Sequence, residues 1–288
     1  MNTIQCENEL SGSSQKNNFR IAHIIHPVIV ASTSDLVIAQ PITFETMHQA
    51  REFAHDFVEV ELVATQYHDE ERLPLPSSFI RARDLTRSVG DVHTFQKKKK
   101  LAIIKDIFDV LYETSTADYL IYTNVDIALQ PYFYRTVAEF IKNGHDAFII
   151  NRRTIPGHYK ELEDIPLMCA EIGESHPGWD CFIFHRSLYP SFKLGNACIG
   201  TDWIGRMMIT NMAPLARKFK VFKDLQMTFH IGDERVWNSD IYSDYAEYNK
   251  AECGKTLLEF EKKYGPLDRK GFPGRFLKWF EQQENTEC

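Results

Sequence analysis

The chain has 288 residues, of which 43% are hydrophobic and 25% are charged, the balance of an ordinary soluble globular protein. Its formal net charge of -7 argues against nucleic acid as a general partner. No stretch approaches the roughly 20 apolar residues of a membrane span, and the N-terminus has no signal-peptide core, so we expect a cytoplasmic protein without a transmembrane segment. The six cysteines include no CxxC pair, which predicts reduced thiols rather than a zinc site or a dense disulfide framework.

The first part of the chain predicts a lead-in followed by strands and a helix. Residues 1–18 are polar, and we expect them to be disordered. A first strand is predicted over Ile21 to Val30. A helix is expected to begin near Thr43, as its N-cap, and to run toward Phe57. Alternating polar and apolar residues from Val58 to Val63 predict a second strand.

The middle of the chain continues the alternation of strands and helices. The apolar spacing from Leu101 to Leu111 predicts an amphipathic helix, and the run that starts at Tyr119 predicts a buried strand. A helix over Phe133 to Lys142 and a strand over Asp146 to Ile150 follow. This order is typical of a parallel sheet that helices cover on both faces, so the fold class is predicted to be α/β.

Beyond Arg153 the pattern becomes less regular. Short strands are predicted at Cys181 to Phe184 and at Gln226 to His230, with a helix from Asp202 onward between them. We therefore expect one α/β domain over residues 19–288, with a mostly parallel central sheet flanked by helices and a more irregular C-terminal half.

The strand that starts at Tyr119 is followed by Asn124 and Asp126. Open α/β sheets bind ligands beyond the carboxyl ends of their strands, and side chains two residues apart on a strand project to the same side. A carboxylate beside an amide is suited to a divalent cation, which would indicate a phosphorylated ligand. The alternative interpretation is an Asx turn that ends the strand.

A second group of candidates lies between His176 and Asp180, around a Pro-Gly turn. A rigid turn that presents an indole and a carboxylate is suited to sugar recognition, because Trp179 could stack on a pyranose while Asp180 accepts hydrogen bonds from hydroxyl groups. His176 begins this turn and is a substrate-binding candidate with it. The alternative is a turn whose tryptophan fills the core.

Arg152 and Arg153 follow the strand that ends at Ile150. Paired guanidinium groups are well suited to bind phosphate, which makes both residues substrate-binding candidates. They could equally pair with surface carboxylates.

The order of the elements, with the segment Asn124-Val125-Asp126 after the central strand, resembles the GT-A fold of nucleotide-sugar-dependent glycosyltransferases over roughly residues 20–232. In that family an Asp-x-Asp segment binds a divalent metal and the diphosphate of the donor. The resemblance implies that Asp126 contacts Mn²⁺ or Mg²⁺ and that Asn124, in place of the first aspartate, has a ribose or water-mediated role. It also implies a nucleotide-binding half over 19–153 and an acceptor-binding half with C-terminal helices over 154–288.

The same resemblance implies roles for residues outside that segment. Gly200 to Arg206 looks like the acidic helix start of inverting members, which makes Asp202 the first candidate for the general base and Asp180 the second. Asp202 equally fits a helix N-cap. A C-terminal histidine completes the metal shell in many members, which gives His230 that role, with a structural role as the alternative. His26 lies where the family receives the nucleotide base, with core packing as the alternative.

The sequence thus predicts an enzyme that moves a sugar from a nucleoside-diphosphate sugar to a carbohydrate or other hydroxyl acceptor, with metal assistance and inversion as the expected stereochemistry. A non-catalytic sugar- or nucleotide-binding protein is the first alternative, because Asn124 replaces an aspartate. A sugar-phosphate nucleotidyltransferase is the second, although Val28 to Gln40 lacks the glycines and basic residues that bind a triphosphate. The basic amphipathic segment Arg275 to Phe280 could contact a membrane surface or dock onto the core.

Overall fold

A computed structural model describes residues 17–233, residues 240–266 and Gly274. The described strands are, in chain order, β1 (Arg20–Ile25), β2 (Glu59–Ala64), β3 (Phe79–Arg81), β4 (Tyr119–Thr123), β5 (Ala128–Leu129), β6 (Ala147–Ile150), β7 (Arg153–Ile155), β8 (Glu174–Ser175), β9 (Cys181–His185), β10 (Phe219–Phe222) and β11 (Thr228–Ile231). The described α-helices are α1 (Leu36–Ala54), α2 (Ile104–Thr114), α3 (Phe133–Lys142), α4 (Ile165–Ala170), α5 (Ile204–Leu215) and α6 (Ser243–Tyr264).

The central sheet has seven strands in the order β10-β6-β9-β4-β1-β2-β3. Neighbouring strands are parallel except for β9, which is antiparallel to both β4 and β6. The parallel strands all end at one edge of the sheet, named the carboxyl edge, and begin at the opposite one, named the amino edge. The predicted class, α/β with a mostly parallel central sheet flanked by helices, is confirmed.

Side chains of β1 alternate between two cores, one on each face of the sheet. Ala22 and Ile24 pack among residues of α2, α5 and α6. Ile21 and Ile25 pack among residues of α1 and α3 on the other face. All of these side chains are fully buried, and burial on both faces is why the sequence shows a continuous apolar run rather than an alternating one.

The first helix begins earlier than the sequence pattern predicts. Asp35 is the N-cap of α1, and its Oδ1 accepts the backbone N–H of Leu36 at 2.9 Å. Thr43 lies inside the helix and is fully buried, so the prediction of Thr43 as the N-cap is wrong. Pro41 also lies inside α1, near its start, where the absent N–H costs a single helical hydrogen bond.

A second, four-stranded sheet has the order β5-β11-β7-β8. One of its two inner strands, β11, is parallel to β7 and antiparallel to β5. Because β5 follows Asp126 closely in the chain and β11 contains His230, this pairing brings the two segments together. The strand predicted at Gln226 to His230 is confirmed as β11, with its bounds shifted toward the C-terminus.

Some sequence predictions fall on residues that the structure does not describe. The expected lead-in of residues 1–18 lies outside the described residues except for Asn17 and Asn18, and Asn17 donates its backbone N–H to the carbonyl of Phe57 at 3.0 Å. The segment Arg275 to Phe280 also lies outside them. In the part of the chain that is described, no helix has both the length and the apolar composition to cross a bilayer.

Candidate active site

The segment that carries Asn124 and Asp126 is a turn at the carboxyl edge. β4 ends at Thr123, and the N–H of Ile127 donates to the carbonyl of Asn124 at 3.2 Å. Strand alternation therefore does not set the directions of the two side chains, contrary to the sequence argument. Asn124 is held by the hydroxyl of Tyr122, which donates to its Oδ1 at 2.9 Å. The amide oxygen thus already has one protein donor.

Asp126 and His230 lie together, as the resemblance implies. Asp126 Oδ2 is 3.3 Å from His230 Nε2, and His230 Nδ1 donates to the carbonyl of Gly232 at 2.7 Å. Burial opposes the charge of both groups, but their mutual hydrogen bond outweighs it: the pKa of Asp126 is lowered and the pKa of His230 is raised. The bond to Gly232 fixes the imidazole ring with Nε2 toward the carboxylate.

A buried ion pair joins Arg152 to Asp180. Arg152 Nη1 donates to Asp180 Oδ1 at 2.9 Å, and the two residues are only 8% and 9% exposed. The strand register explains the contact, because Cys181 pairs with both Thr123 and Ile150, so Asp180 enters the carboxyl edge between the ends of β4 and β6. The positive charge of Arg152 also acts on Asp126, whose pKa it helps to lower after burial and the bond to His230.

The turn before Asp180 is ordered by His176. The N–H of Gly178 donates to His176 Nδ1 at 3.0 Å, and His176 Nε2 lies 3.5 Å from Arg152 Nη2. Trp179 is half-buried and packs against one hydrophobic core. The predicted substrate-binding turn and the predicted phosphate-binding Arg152 are therefore one connected group of side chains.

Several buried polar atoms at this edge have no hydrogen-bond partner among the described residues. They are Asp126 Oδ1, Asn151 Oδ1, Arg152 Nε and Asp180 Oδ2. An unpaired buried polar atom costs about 1–3 kcal/mol, which is why native proteins pair the large majority of them. Four such atoms close to the ends of β4 and β6 and the start of β9 indicate a place where water or a polar ligand completes the hydrogen bonding.

Arg153 has a different environment from Arg152. Its Nη2 donates to the carbonyl of Gly173 at 2.7 Å, its Nε donates to the carbonyl of Ile172, and its Nη1 forms an ion pair with Asp224. All of its nitrogen groups are therefore engaged by protein. A phosphate at Arg153 would have to displace one of these partners, whereas Arg152 retains an unpaired Nε.

Asp202 lies just before α5 and is half-exposed. Its Oδ1 accepts the backbone N–H of Trp203 at 2.7 Å and Nη1 of Arg206 at 3.0 Å. The N-cap position of α5 is Trp203, so Asp202 does not cap the helix through the N–H of a helical residue. Gly205 connects this segment to the His176 turn, since an added Cβ at Gly205 would lie 3.1–3.3 Å from atoms of Trp179.

His26 is buried at the carboxyl end of β1. Its Nδ1 donates to the carbonyl of Thr65 at 2.9 Å, and its ring meets that of Tyr67 edge-on at 5.3 Å. Burial lowers the pKa of His26 to about 4, so the imidazole is neutral at pH 7. His26 packs with protein groups at the strand end, and the predicted contact with a nucleotide base stays a prediction.

Two residues that the sequence reasoning passed over contact candidate residues. Arg206 is four residues after Asp202, a spacing that places both on one side of a helix start and could have identified the pair. Tyr122 is two residues before Asn124, but no sequence signal shows that its hydroxyl reaches the amide.

The residues present fit a divalent cation as a pair rather than as a closed site. Asp126 offers a carboxylate, whose unpaired Oδ1 could serve as a ligand, and His230 would offer an imidazole once a cation displaced the Nε2 proton that now faces Asp126. No group of three or more His, Cys, Asp or Glu side chains arranged to hold a metal occurs within residues 17–233 and 240–266. Diphosphate oxygens and water would have to supply the other ligands, as is usual for Mg²⁺.

Neither a protein-family model nor a curated protein sequence matches the chain. Among solved structures, S. aureus TarS 1–349 in complex with UDP-GlcNAc is similar, with 10% identity, a TM-score of 0.48, and coverage of 88% of this chain and 74% of that chain. M. tuberculosis glucosyl-3-phosphoglycerate synthase is similar with 12% identity, a TM-score of 0.43, and coverage of 89% and 84%. These structural neighbours are GT-A-type glycosyltransferases, the class that the sequence resembles. At TM-scores below 0.5 they assign no residue roles, which rest on the geometry of this chain.

Proposed function

We propose that the protein is a metal-assisted glycosyltransferase that moves a sugar from a nucleoside-diphosphate sugar to an acceptor hydroxyl. The observation that carries the proposal is the pairing of Asp126 with His230 beside Arg152 and Asp180 at the carboxyl edge. This arrangement combines a candidate cation site with unpaired polar atoms of both kinds, a donor N–H and acceptor oxygens. Sugar hydroxyls both donate and accept hydrogen bonds, so they match such a mixture.

Asp126 and His230 would hold Mn²⁺ or Mg²⁺ on the donor diphosphate. A divalent cation bound there acts as a Lewis acid that stabilises charge on the leaving diphosphate. Gly232 orients His230 through the hydrogen bond to Nδ1, which fixes the Nε2 position relative to Asp126. Asn124, held by Tyr122, contributes a neutral amide beside this pair.

Asp202 is the stronger candidate for the general base. Its side chain is 45% exposed, and its Oδ2 accepts no hydrogen bond from the described residues. An acceptor hydroxyl can therefore approach Oδ2 and lose its proton to it, as an inverting displacement requires. Asp180 is 9% exposed and forms an ion pair with Arg152, so it is better placed to bind and orient the sugar.

Removing the Asp126 carboxylate tests the proposal. We expect Asp126→Ala to weaken Mn²⁺-dependent binding of UDP or GDP by on the order of 100-fold, because the variant lacks a metal ligand. Isothermal titration calorimetry with and without Mn²⁺ measures this loss. Glu139→Ala, which changes an exposed carboxylate on α3, is the control and should bind like the wild type.

The outcomes also separate the alternative functions. Unchanged affinity in Asp126→Ala would contradict the metal–diphosphate assignment. Metal-dependent binding in the wild type, without product from any donor and acceptor tried, would favour a non-catalytic binding protein. Release of pyrophosphate from a nucleoside triphosphate and a sugar phosphate would identify a nucleotidyltransferase instead.

A further inference from the structure

The backbone at the start of α5 has an unusual conformation. Trp203 has φ 77, in the left-handed region that a bulky residue rarely adopts. Such a conformation is unfavourable for a residue with a Cβ and persists only where the surrounding contacts hold it. The strained residue directly follows Asp202, the proposed general base.

Asp202, Trp203 and Arg206 form a closed set of contacts. Asp202 Oδ1 accepts from the backbone N–H of Trp203 at 2.7 Å and from Arg206 Nη1 at 3.0 Å. The Arg206 guanidinium carbon lies 4.5 Å from the centroid of the Trp203 ring, a cation–π distance. Both donors use the same carboxylate oxygen, and Oδ2 accepts none from the described residues.

The backbone on either side of the carboxylate is anchored independently. Asn249 Nδ2 donates to the carbonyl of Asp202 at 2.9 Å, and it also donates to the carbonyl of Cys198 at 2.8 Å. Gly205 packs against Trp179, which fixes the helix start. With the backbone held in this way, Trp203 and Arg206 are the described residues that determine how the Asp202 carboxylate rotates.

The ion pair itself contributes little to the stability of the fold. The side chains of Asp202 and Arg206 are 45% and 40% exposed, and ion pairs with this exposure are weak in water. The strained backbone of Trp203 is therefore not explained by a gain in stability from this pair. These contacts do, however, orient the Asp202 carboxylate, because both donors bind its Oδ1.

We propose, resting on the proposed function, that Arg206 is a positioning residue of the transfer reaction. Held against the Trp203 ring, Arg206 occupies Oδ1 of Asp202 and leaves Oδ2 directed to the acceptor hydroxyl. The proton of the acceptor then passes to Oδ2 as the acceptor oxygen bonds to the anomeric carbon and the diphosphate departs. Arg206 itself contacts neither the donor nor the acceptor.

The test compares Arg206→Gln, Asp202→Asn and the double variant. Activity is the release of nucleoside diphosphate from UDP-glucose, UDP-N-acetylglucosamine or GDP-mannose with a panel of nitrophenyl monosaccharides as acceptors and Mn²⁺ present. We expect Arg206→Gln to lower kcat about 10- to 100-fold, the scale of a misplaced catalytic group, with the KM of the donor unchanged. The double variant should be no slower than Asp202→Asn alone, because Arg206 acts only through Asp202.

Lys142→Gln is the matched control. Lys142 also combines an exposed ion pair, to Glu139 at 3.1 Å, with a ring contact, 4.3 Å from the centroid of Phe57. It lies at the end of α3, before β6 begins, and hence at the amino edge. We expect this variant to keep the wild-type kcat and, like Arg206→Gln, the wild-type melting temperature.

Each contrary result identifies what is wrong. Wild-type kcat in Arg206→Gln, with Asp202→Asn inactive, would overturn the positioning role and leave the proposed function standing. The positioning role would also be overturned if Arg206→Gln lowered kcat in the Asp202→Asn background by the same factor as in the wild type. Arg206 would then act on a substrate directly rather than through Asp202. Full activity of Asp202→Asn would overturn the proposed general base, and with it the role of Arg206. No transfer by the wild type would overturn the proposed function, and with it the role of Arg206.

Discussion

The two edges of the central sheet use the same residue types in different ways. At the amino edge, Asp118 accepts the backbone N–H of Arg20 at 2.8 Å, and Asp146 accepts those of Arg217 and Lys218 at 2.9 and 2.8 Å. Neither carboxylate leaves a buried oxygen without a partner. At the carboxyl edge, Asp126, Asp180 and Asn151 each leave a buried oxygen without a hydrogen-bond partner among the described residues, and Arg152 leaves its Nε.

This difference separates structural from functional polar groups more clearly than burial or residue type does. A carboxylate whose hydrogen bonds are all made by protein completes the fold. A carboxylate of similar burial that keeps an unpaired oxygen lowers stability unless something else binds it. Under the proposed function, the carboxyl edge is the part of the described sheet where polar atoms are left unpaired for a ligand at a cost in stability, and mutations at the two edges should differ accordingly.

The largest effect is expected at the buried ion pair of the carboxyl edge. Arg152→Met should lower the free energy of unfolding by about 3–5 kcal/mol, because it leaves the Asp180 carboxylate buried without its counter-charge. Urea unfolding at pH 7 measures the loss. Arg152→Met combined with Asp180→Leu should recover most of it, since the stranded charge is removed as well. A double variant as unstable as the single one would show that the cost has another origin.

A smaller effect is expected at the amino edge. Asp146→Asn should lower the free energy of unfolding by about 1–3 kcal/mol, because the amide keeps only one of the two oxygens that accept the backbone N–H groups of Arg217 and Lys218. Affinity for nucleoside diphosphates should not change. Loss of that affinity in a folded variant would show that the amino edge is not purely structural.

The same variant has a defined pH dependence. Burial opposes the charge of Asp146, but the hydrogen bonds from Lys218 and Arg217 outweigh it, and its pKa lies below the ordinary value of 3.8. The carboxylate therefore stabilises the fold fully above that value and loses its effect as the pH falls through the lowered pKa. Urea unfolding from pH 7 to pH 3 should show the difference between wild type and Asp146→Asn shrinking toward acid.

The smallest effect on stability is expected for Asp126→Asn. Asp126 has one described hydrogen-bond partner, His230 at 3.3 Å, and an amide oxygen in Asp126→Asn can still accept from Nε2, so the loss should be on the order of 1 kcal/mol in the absence of metal and smaller than that of Asp146→Asn. Urea unfolding in a chelating buffer measures this change. A destabilisation larger than that of Asp146→Asn would contradict the distinction between the two edges.

Much of the fold was predictable because burial on both faces marks the strands. β1, β4 and β6 follow from apolar runs, β2 follows from alternating polar and apolar residues, and the amphipathic spacing predicts α2 and α3. The strands β3, β5, β7 and β8 have two or three residues, too few for a hydrophobic period, and exist because a neighbouring strand pairs with them. The N-cap of α1 was missed because Pro41 lies within the helix that Asp35 begins.

The part of the candidate site that lies at the ends of strands could be predicted from the sequence. Asp126 follows a strand that the sequence identifies, and His230 lies on another, so their meeting follows from sheet pairing. The bond between Arg152 and Asp180 depends on the reversed direction of β9, which its apolar residues do not reveal. The ion pair between Arg153 and Asp224 depends on a contact with a loop, which no periodic sequence pattern predicts.

The reversed strand β9 also has a consequence for the order in which the chain folds. β4 and β6 are not neighbours, and β9 lies between them. Until Cys181–His185 has been synthesised, β4 and β6 each lack the neighbouring strand that pairs with them in the folded sheet. Apolar strands with unpaired backbone groups along one side tend to pair with other chains and aggregate. The first 150 residues contain Asn124 and Asp126, yet they cannot close the sheet that holds them. During synthesis, β4 and β6 must therefore avoid pairing with other strands until β9 has been made and can pair with both.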